Sequence, residues 1–335
     1  ELKAECGGDA AHTSRHPDLS LIFADRMVVI DHHTKRTHLV SLIGSEHDEN
    51  QREWCTRTAG LLADVEEMGA SASIAGVGPL SPRHDRAAYL RRIDDCLADI
   101  GAGETYEVCL TNELSAHGTL DPAAYLQLRA DNPTPFGARL RFGELSVLSS
   151  TPERFLTVAG GTVASGPIKG TAATPEGLTD KDRAENVMIT DMVRNDLQRV
   201  CAPATVEVAD LLRVERHPGL AHLVTTVVGR LLPDAGWPEV LAATFPPASV
   251  SGAPKHTALA AIRDLEPTPR GPYCGAFGWV DGDAGRAELA VAIRTFWWTG
   301  EDGGTLRFGT GAGITWESDP EREWAETELK AVRLV

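Results

Sequence analysis

Three groups of residues in this sequence are spaced so that they could carry chemistry. Asp182 and Glu185 stand three residues apart, which puts their carboxylates on one side of a helix. Glu323, Glu326 and Lys330 make a second stripe of the same kind. Glutamates from two helices, meeting across a cleft, would suit Mg2+, a hard cation that takes carboxylate, water and substrate oxygens. Two solvated, salt-bridged helix faces would give the same spacing. Lys169, in Ser165-Gly-Pro-Ile-Lys-Gly-Thr171, follows a strand pattern and lies between Pro167 and Gly170. A lysine held in so restricted a turn can act as a nucleophile once its ammonium loses a proton, although an exposed turn lysine also fits. Ser249-Val-Ser-Gly-Ala-Pro-Lys255 opens a helix after a proline-rich loop. Free backbone N–H groups there favour an anion, as they do at many helices.

Other chemistries lack their residues. Gly311-Ala-Gly313 misses the third glycine and the following helix of a dinucleotide fingerprint, and Gly166–Thr171 does not meet the phosphate-loop pattern. There is no G-x-S-x-G, no C-x-x-C among the six cysteines and no H-E-x-x-H among the eleven histidines. His32-His33 reads as exposed turn residues. The formal charge of −16, from 32 basic and 48 acidic residues, repels a nucleic-acid backbone. No apolar run approaches the roughly 20 residues of a membrane span. The expectation is therefore a soluble cytoplasmic protein without nucleic-acid or membrane partners.

The elements that must position these residues follow from periodicity. Leu19–Asp31 and Thr37–Ile43 read as a hairpin; Glu49–Met68 and Arg83–Ile100 read as amphipathic helices. Strands are expected over Glu107–Leu114, Ala138–Phe142, Leu145–Ser150, Arg154–Ala159 and Thr162–Ser165, with Gly160-Gly161 turning the last pair. Helix Thr179–Val200 starts with a capping box of Thr179 and Asp182. Further strands are expected at Leu220–Leu232, Tyr273–Asp281, Ala287–Thr299 and Leu306–Ile314, and helices at Lys255–Leu265 and Pro320–Leu334. Long strand runs without regular strand–helix alternation argue for an α+β fold built on antiparallel sheets.

Taken in order, Thr151-Pro-Glu-Arg-Phe155, Pro167-Ile-Lys-Gly-Thr171, Asp182-Arg-Ala-Glu-Asn186, Asp191–Asp196, His222-Leu-Val, Ser251-Gly-Ala-Pro-Lys255, Ile293-Arg-Thr295, Gly311-Ala-Gly-Ile314 and Glu323–Lys330 resemble the signature of chorismate-utilising enzymes. That family includes anthranilate, aminodeoxychorismate, isochorismate and salicylate synthases. The resemblance runs from about Arg83 to the C-terminus. It implies two large antiparallel sheets packed as a sandwich with helices outside, an anthranilate synthase component I-like fold. Residues 83–335 would then be the chorismate-binding domain. Residues 1–82 would be the remnant of an N-terminal region whose earlier strands are expected to be missing.

Within the family, water-adding members carry a lysine where this sequence has Glu107, and anthranilate synthases carry alanine where it has Lys169. The resemblance therefore points to the aminodeoxychorismate synthase branch, with anthranilate synthase component I or a non-catalytic homologue as the other readings. It implies attack by Lys169 on C2 of chorismate, with Glu153 as general acid/base and His222 near the leaving hydroxyl. For that attack, Lys169 is expected to have a pKa below the ordinary value. It also implies Mg2+ on Glu185 and Glu326, with Asp182 and Glu323 behind them. Tyr273, Arg294, Lys330, the Gly311-Ala312-Gly313 backbone, Ser251 and Gly252 would contact substrate. Pro247-Ala248 replaces the family's Gly-Gly, so a stiffer loop and altered turnover are expected. Ammonia would come from a glutamine amidotransferase, separate or fused, because Cys6 in Glu5-Cys-Gly-Gly lacks the required elbow.

Overall fold

The computed structural model describes residues 13–44, 48–65, 78–121, 123–217, 220–300 and 303–332; Cys6, Met68 and Leu334 lie outside them. The chain divides into two units, residues 16–71 and residues 72–335 with 1–15. The smaller unit contains a hairpin of β1 (Arg26–Asp31) and β2 (Arg36–Ser41), and helix α1 (Asp48–Ala63). Asp31 closes the hairpin turn by accepting from the N–H groups of His33 and Thr34 and the Thr34 hydroxyl. His32 and His33 are exposed, as expected. The strand expected from Leu19 begins only at Arg26, leaving Leu19, Leu21, Ile22 and Phe23 exposed.

The larger unit begins before the expected boundary at Arg83, because β3 (Ser81–Pro82) already pairs with β4 (Glu107–His117). Two seven-stranded antiparallel sheets organise it. One sheet contains, in spatial order, β10 (Glu207–His217), β11 (Leu220–Arg230), β8 (Thr162–Gly166), β7 (Arg154–Ala159), β14 (Arg286–Val291) and β13 (Ala276–Asp281). Its seventh strand, β9 (Ile168–Ala172), pairs with β11 beside this path. The other runs β12 (Gly252–Ala253), β4, β16 (Thr305–Thr315), β15 (Thr295–Thr299), β6 (Leu145–Thr151) and β5 (Phe136–Phe142), with β3 against β4.

Helices cover each sheet, and the sequence shows why. In α2 (Arg86–Gly101), Tyr89, Ile93 and Cys96 recur on one face and bury against Val108 and Leu110 of β4 and Ile314 of β16. Asp85 caps that helix by accepting from Ala88 N–H. The α4 helix (Asp180–Gln198) has the expected capping box and buries Ile189, Val193 and Leu197 on the first sheet with Phe155, Leu156 and Val227. The remaining helices are α3 (Ala124–Asp131), α5 (Trp237–Thr244), α6 (Lys255–Leu265) and α7 (Pro320–Val332).

The structure departs from the sequence expectation elsewhere too, and α3 and α5 are among the unexpected elements. The run Ala287–Thr299 is two strands in different sheets. The chain crosses between them at Ala292–Arg294, and Arg294 takes a left-handed φ of 49°. Both halves are largely buried, so apolar character continues across the break. β10 was not anticipated, because register shifts at Val208/Asp210 and Asp210/Arg213 scramble its alternation. Lys169 sits inside β9 and not in a turn.

A buried pair ties the helices of this unit to the loop before α6. Lys255 donates to Asp196 at 2.5 Å and to the carbonyls of Thr244 and Pro246. Asp196→Ala would leave an ammonium with no countercharge, a loss of about 3 kcal/mol. Urea unfolding should show the lowered midpoint, and an unchanged midpoint would make the pair dispensable.

Candidate active site

The two sheets meet at a buried ion pair. Lys169 Nζ, from β9, lies 2.5 Å from Glu107 Oε1, from β4, and 3.9 Å from Cys109 Sγ. Glu107 is completely buried and its other oxygen, Oε2, has no hydrogen-bond partner. Burial disfavours the Lys169 ammonium. The Cys109 sulfur and the Glu107 and Glu185 carboxylates outweigh it and hold the pKa well above the ordinary lysine value. This reverses the expected lowered pKa, because the buried neighbour is an anion and not a cation.

Close packing fixes the pair. A Cβ on Gly313 of β16 would lie 2.5 Å from Glu107 Oε1 and 2.9 Å from Lys169 Nζ, so a larger residue would push the two apart. Gly170 has φ +90°, and a Cβ there would stand 2.8 Å from that of Asp182, so glycine lets β9 approach the start of α4. Asn186 fastens the same helix by donating to the carbonyls of Lys169 and Leu223 and accepting from Thr225. On the other side, Arg270 donates to Glu266, to Val250 O and to Cys109 O, clamping the loop before α6 to β4.

Glu153, between β6 and β7, is buried and accepts a 2.5 Å hydrogen bond from Ser249. Burial pushes its pKa up to about 7, against the Ser249 hydroxyl, the Ile168 N–H and the charges of Lys169 and Arg294. A carboxyl group in that range can exchange a proton at neutral pH. His222 is buried on β11, and its Nδ1 lies 2.9 Å from the Thr171 hydroxyl in the facing position of β9.

The acids of α4 and α7 come together around a lysine. Lys181 lies 3.5 Å from Glu185 and 2.8 Å from Glu323. Burial, with Glu107 and Glu323 nearby, raises the Glu185 pKa to about 6 despite the opposing pull of Lys169 and Lys181. Glu326 is buffered differently. Burial opposes its charge, but Lys330 at 2.6 Å brings the net pKa down. Lys330 also donates to Gly311 O. Asp182 spends one oxygen on the N–H and hydroxyl of Thr179. Among the described residues no three acid, histidine or cysteine side chains form a ready-made metal cage.

The other expected contact residues surround this centre. Tyr273 lies over β16 where Gly309 leaves room for its ring. Arg294 acts electrostatically on Glu153. Ala312 is buried under α2, between Gly311 and Gly313. Ser251 bonds within its own loop, to Pro247 O and Ala248 O, and Gly252 pairs with Val108. Sequence reasoning missed the pairing of Glu107 with Lys169 and the bond from Ser249 to Glu153. The available signal was a lone acid in the apolar run Tyr106-Glu-Val-Cys-Leu110.

The family model described as chorismate binding enzyme matches residues 1–335, and the chain belongs to that family. It is 44% identical over 354 residues to an aminodeoxychorismate synthase of Streptomyces griseus, covering 100% of this chain and 48% of that protein. It is 39% identical over 288 residues to an anthranilate synthase component 1 of Saccharolobus solfataricus, covering 81% and 68%. The crystal structure of anthranilate synthase component I from Streptococcus pneumoniae superposes with a TM-score of 0.82 at 27% identity, over 92% of this chain and 72% of that one. The chain spans about half the length of the aminodeoxychorismate synthase it matches.

The raised Glu153 pKa has a measurable consequence. The folded state holds that proton up to about pH 7 while the unfolded chain releases it near 4.5. Folding stability from this group is therefore full below pH 4.5 and declines as pH rises through 7. Glu153→Gln should abolish that decline, making the variant more stable than the parent at pH 8 by about 3 kcal/mol, with no gap at pH 4.5. Denaturant titrations at both pH values would reveal it, and parallel pH profiles would show that Glu153 is not perturbed.

Proposed function

We propose that this chain converts chorismate and ammonia to 4-amino-4-deoxychorismate, the reaction of an aminodeoxychorismate synthase component I. The observation that carries the reading is Lys169 in Pro167-Ile-Lys-Gly-Thr171, buried between the sheets within reach of the Glu153 charge. Support comes from the 44% identity to an aminodeoxychorismate synthase along the whole of this chain. Lys169 Nζ, once neutral, forms a bond to C2 as the C4–O bond breaks, and Glu153 protonates the departing hydroxide to water. Ammonia then bonds to C4 while the C2–N bond breaks and returns the lysine. Glu153 recovers its proton from the new C4 ammonium. Two substitutions replace one difficult displacement. His222, oriented by Thr171, faces the leaving hydroxyl.

The acids of α4 and α7 fit Mg2+, because the ion needs only one or two protein carboxylates with water and substrate oxygens. A cationic group, Lys181, already lies between Glu185 and Glu323. Glu185 and Glu326 would hold the metal, with Asp182 and Glu323 behind them, and it would supply charge for the ring carboxylate. Tyr273, Arg294, Lys330, Ser251, Gly252 and the Gly311–Gly313 backbone bind the substrate carboxylates. Ammonia comes from a glutamine amidotransferase, separate or fused. The five free cysteines among the described residues support a reducing, cytoplasmic setting.

Incubating the chain with chorismate, Mg2+ and an ammonium salt should yield aminodeoxychorismate by mass spectrometry, and Lys169→Ala should lose most of it. Anthranilate with pyruvate would instead make it an anthranilate synthase, the second reading supported by the 39% identity to such an enzyme. Chorismate binding without turnover would make it a non-catalytic homologue. Excess chelator should stop the reaction, and Glu326→Gln should demand more Mg2+ for half-maximal rate. Full activity in chelator would remove the metal from the mechanism.

A further inference from the structure

We propose that Glu107 is a catalytic residue, the base that takes the proton from Lys169 and so makes its amine nucleophilic. The inference rests on the reading of Lys169 as the attacking group. Lys169 meets a requirement it cannot satisfy alone: it is buried and charged, and an ammonium has no lone pair with which to attack. Its proton must go to a group already in contact. Glu107 Oε1 is that group, at 2.5 Å, within the distance over which a proton passes between heavy atoms.

The other neighbours are excluded by their own chemistry. Burial pushes the Cys109 thiol up to about 12, so it is a neutral thiol, and at 3.9 Å it is a weak contact. Glu153 is engaged by Ser249, and its part is the leaving hydroxide. Glu185 faces Lys181 at 3.5 Å. Glu326 is paired with Lys330.

The Oε2 atom of Glu107 is buried without a hydrogen-bond partner, and the carboxylate meets the lysine through Oε1. A proton moved from the lysine to this carboxylate neutralises both charges together, so neither is left buried and unpaired. The transfer balances: the N–H proton of Lys169 moves to Glu107, and the freed lone pair forms the C2–N bond. When ammonia has displaced the lysine from C2, the neutral amine takes the proton back and the ion pair is restored. No proton need pass to bulk solvent at either step.

The test is the covalent adduct formed when chorismate and Mg2+ are supplied without ammonia, timed by quenching and intact mass. The parent should accumulate an adduct on Lys169. Glu107→Gln should still bind chorismate but form the adduct on the order of 100-fold more slowly at pH 7, a loss typical of a removed general base. Its rate should climb as pH rises toward the lysine range, because solvent hydroxide then replaces the missing base. The groups facing the amine, Cys109, Glu153, Glu185 and Glu326, are the same in both proteins, so the difference between the two profiles belongs to Glu107. Glu107→Asp, which keeps a carboxylate, should stay within about tenfold of the parent with the parent's pH profile; it decides the matter if the Gln variant does not fold. Equal adduct rates in the parent and Glu107→Gln, or a Glu107→Asp variant as inert as Lys169→Ala, would overturn the role of Glu107 alone. A parent that makes aminodeoxychorismate without any adduct would overturn the nucleophilic Lys169 and this proposal with it.

Discussion

Lys169 and Glu107 belong to different sheets, and neither charge could be buried without the other. Removing an ammonium and a carboxylate from water is costly, and only close contact between them offsets the penalty. The pair therefore constrains how the two sheets close. β9 must bring the lysine to β4 within 2.5 Å, and β16 must pass both with nothing larger than the hydrogen of Gly313. Arg270 secures the β4 side and Asn186 the β9 side. The motif glycines and the amide of Asn186 are thus packing requirements of one ion pair.

Around it the charges alternate. Lys169, Lys181 and Lys330 each contact a glutamate, and none of these contacts leaves a large excess of either sign. The balance is delicate because burial is strong. It raises Glu153 to about 7 and Glu185 to about 6. Groups poised in that range change protonation state for little free energy when a charged ligand arrives.

The legible part of the fold was local. The face of α2, the capping box of Thr179 and Asp182, and the turn at Gly160-Gly161, both left-handed here, each depend on residues within a few positions of one another. The structure bears out the α+β class with two antiparallel sheets. Where two strands of different sheets ran on through one apolar segment, Ala287–Thr299, hydrophobicity could not mark the break. Where bulges shifted the register of β10, alternation vanished although the strand did not.

By itself, the sequence determined which residues were available for chemistry and which family they belong to, because motif order survives without coordinates. It carried Lys169, Glu153, Glu185, Glu326 and their neighbours in recognisable words. Only the tertiary structure decided what those residues do to one another. Lys169 and Glu107 are 62 positions apart and Ser249 and Glu153 are 96, so no local pattern joins them. A side chain's proton affinity is set by what surrounds it after burial. The same lysine would be lowered by a buried cation and is raised by this buried carboxylate.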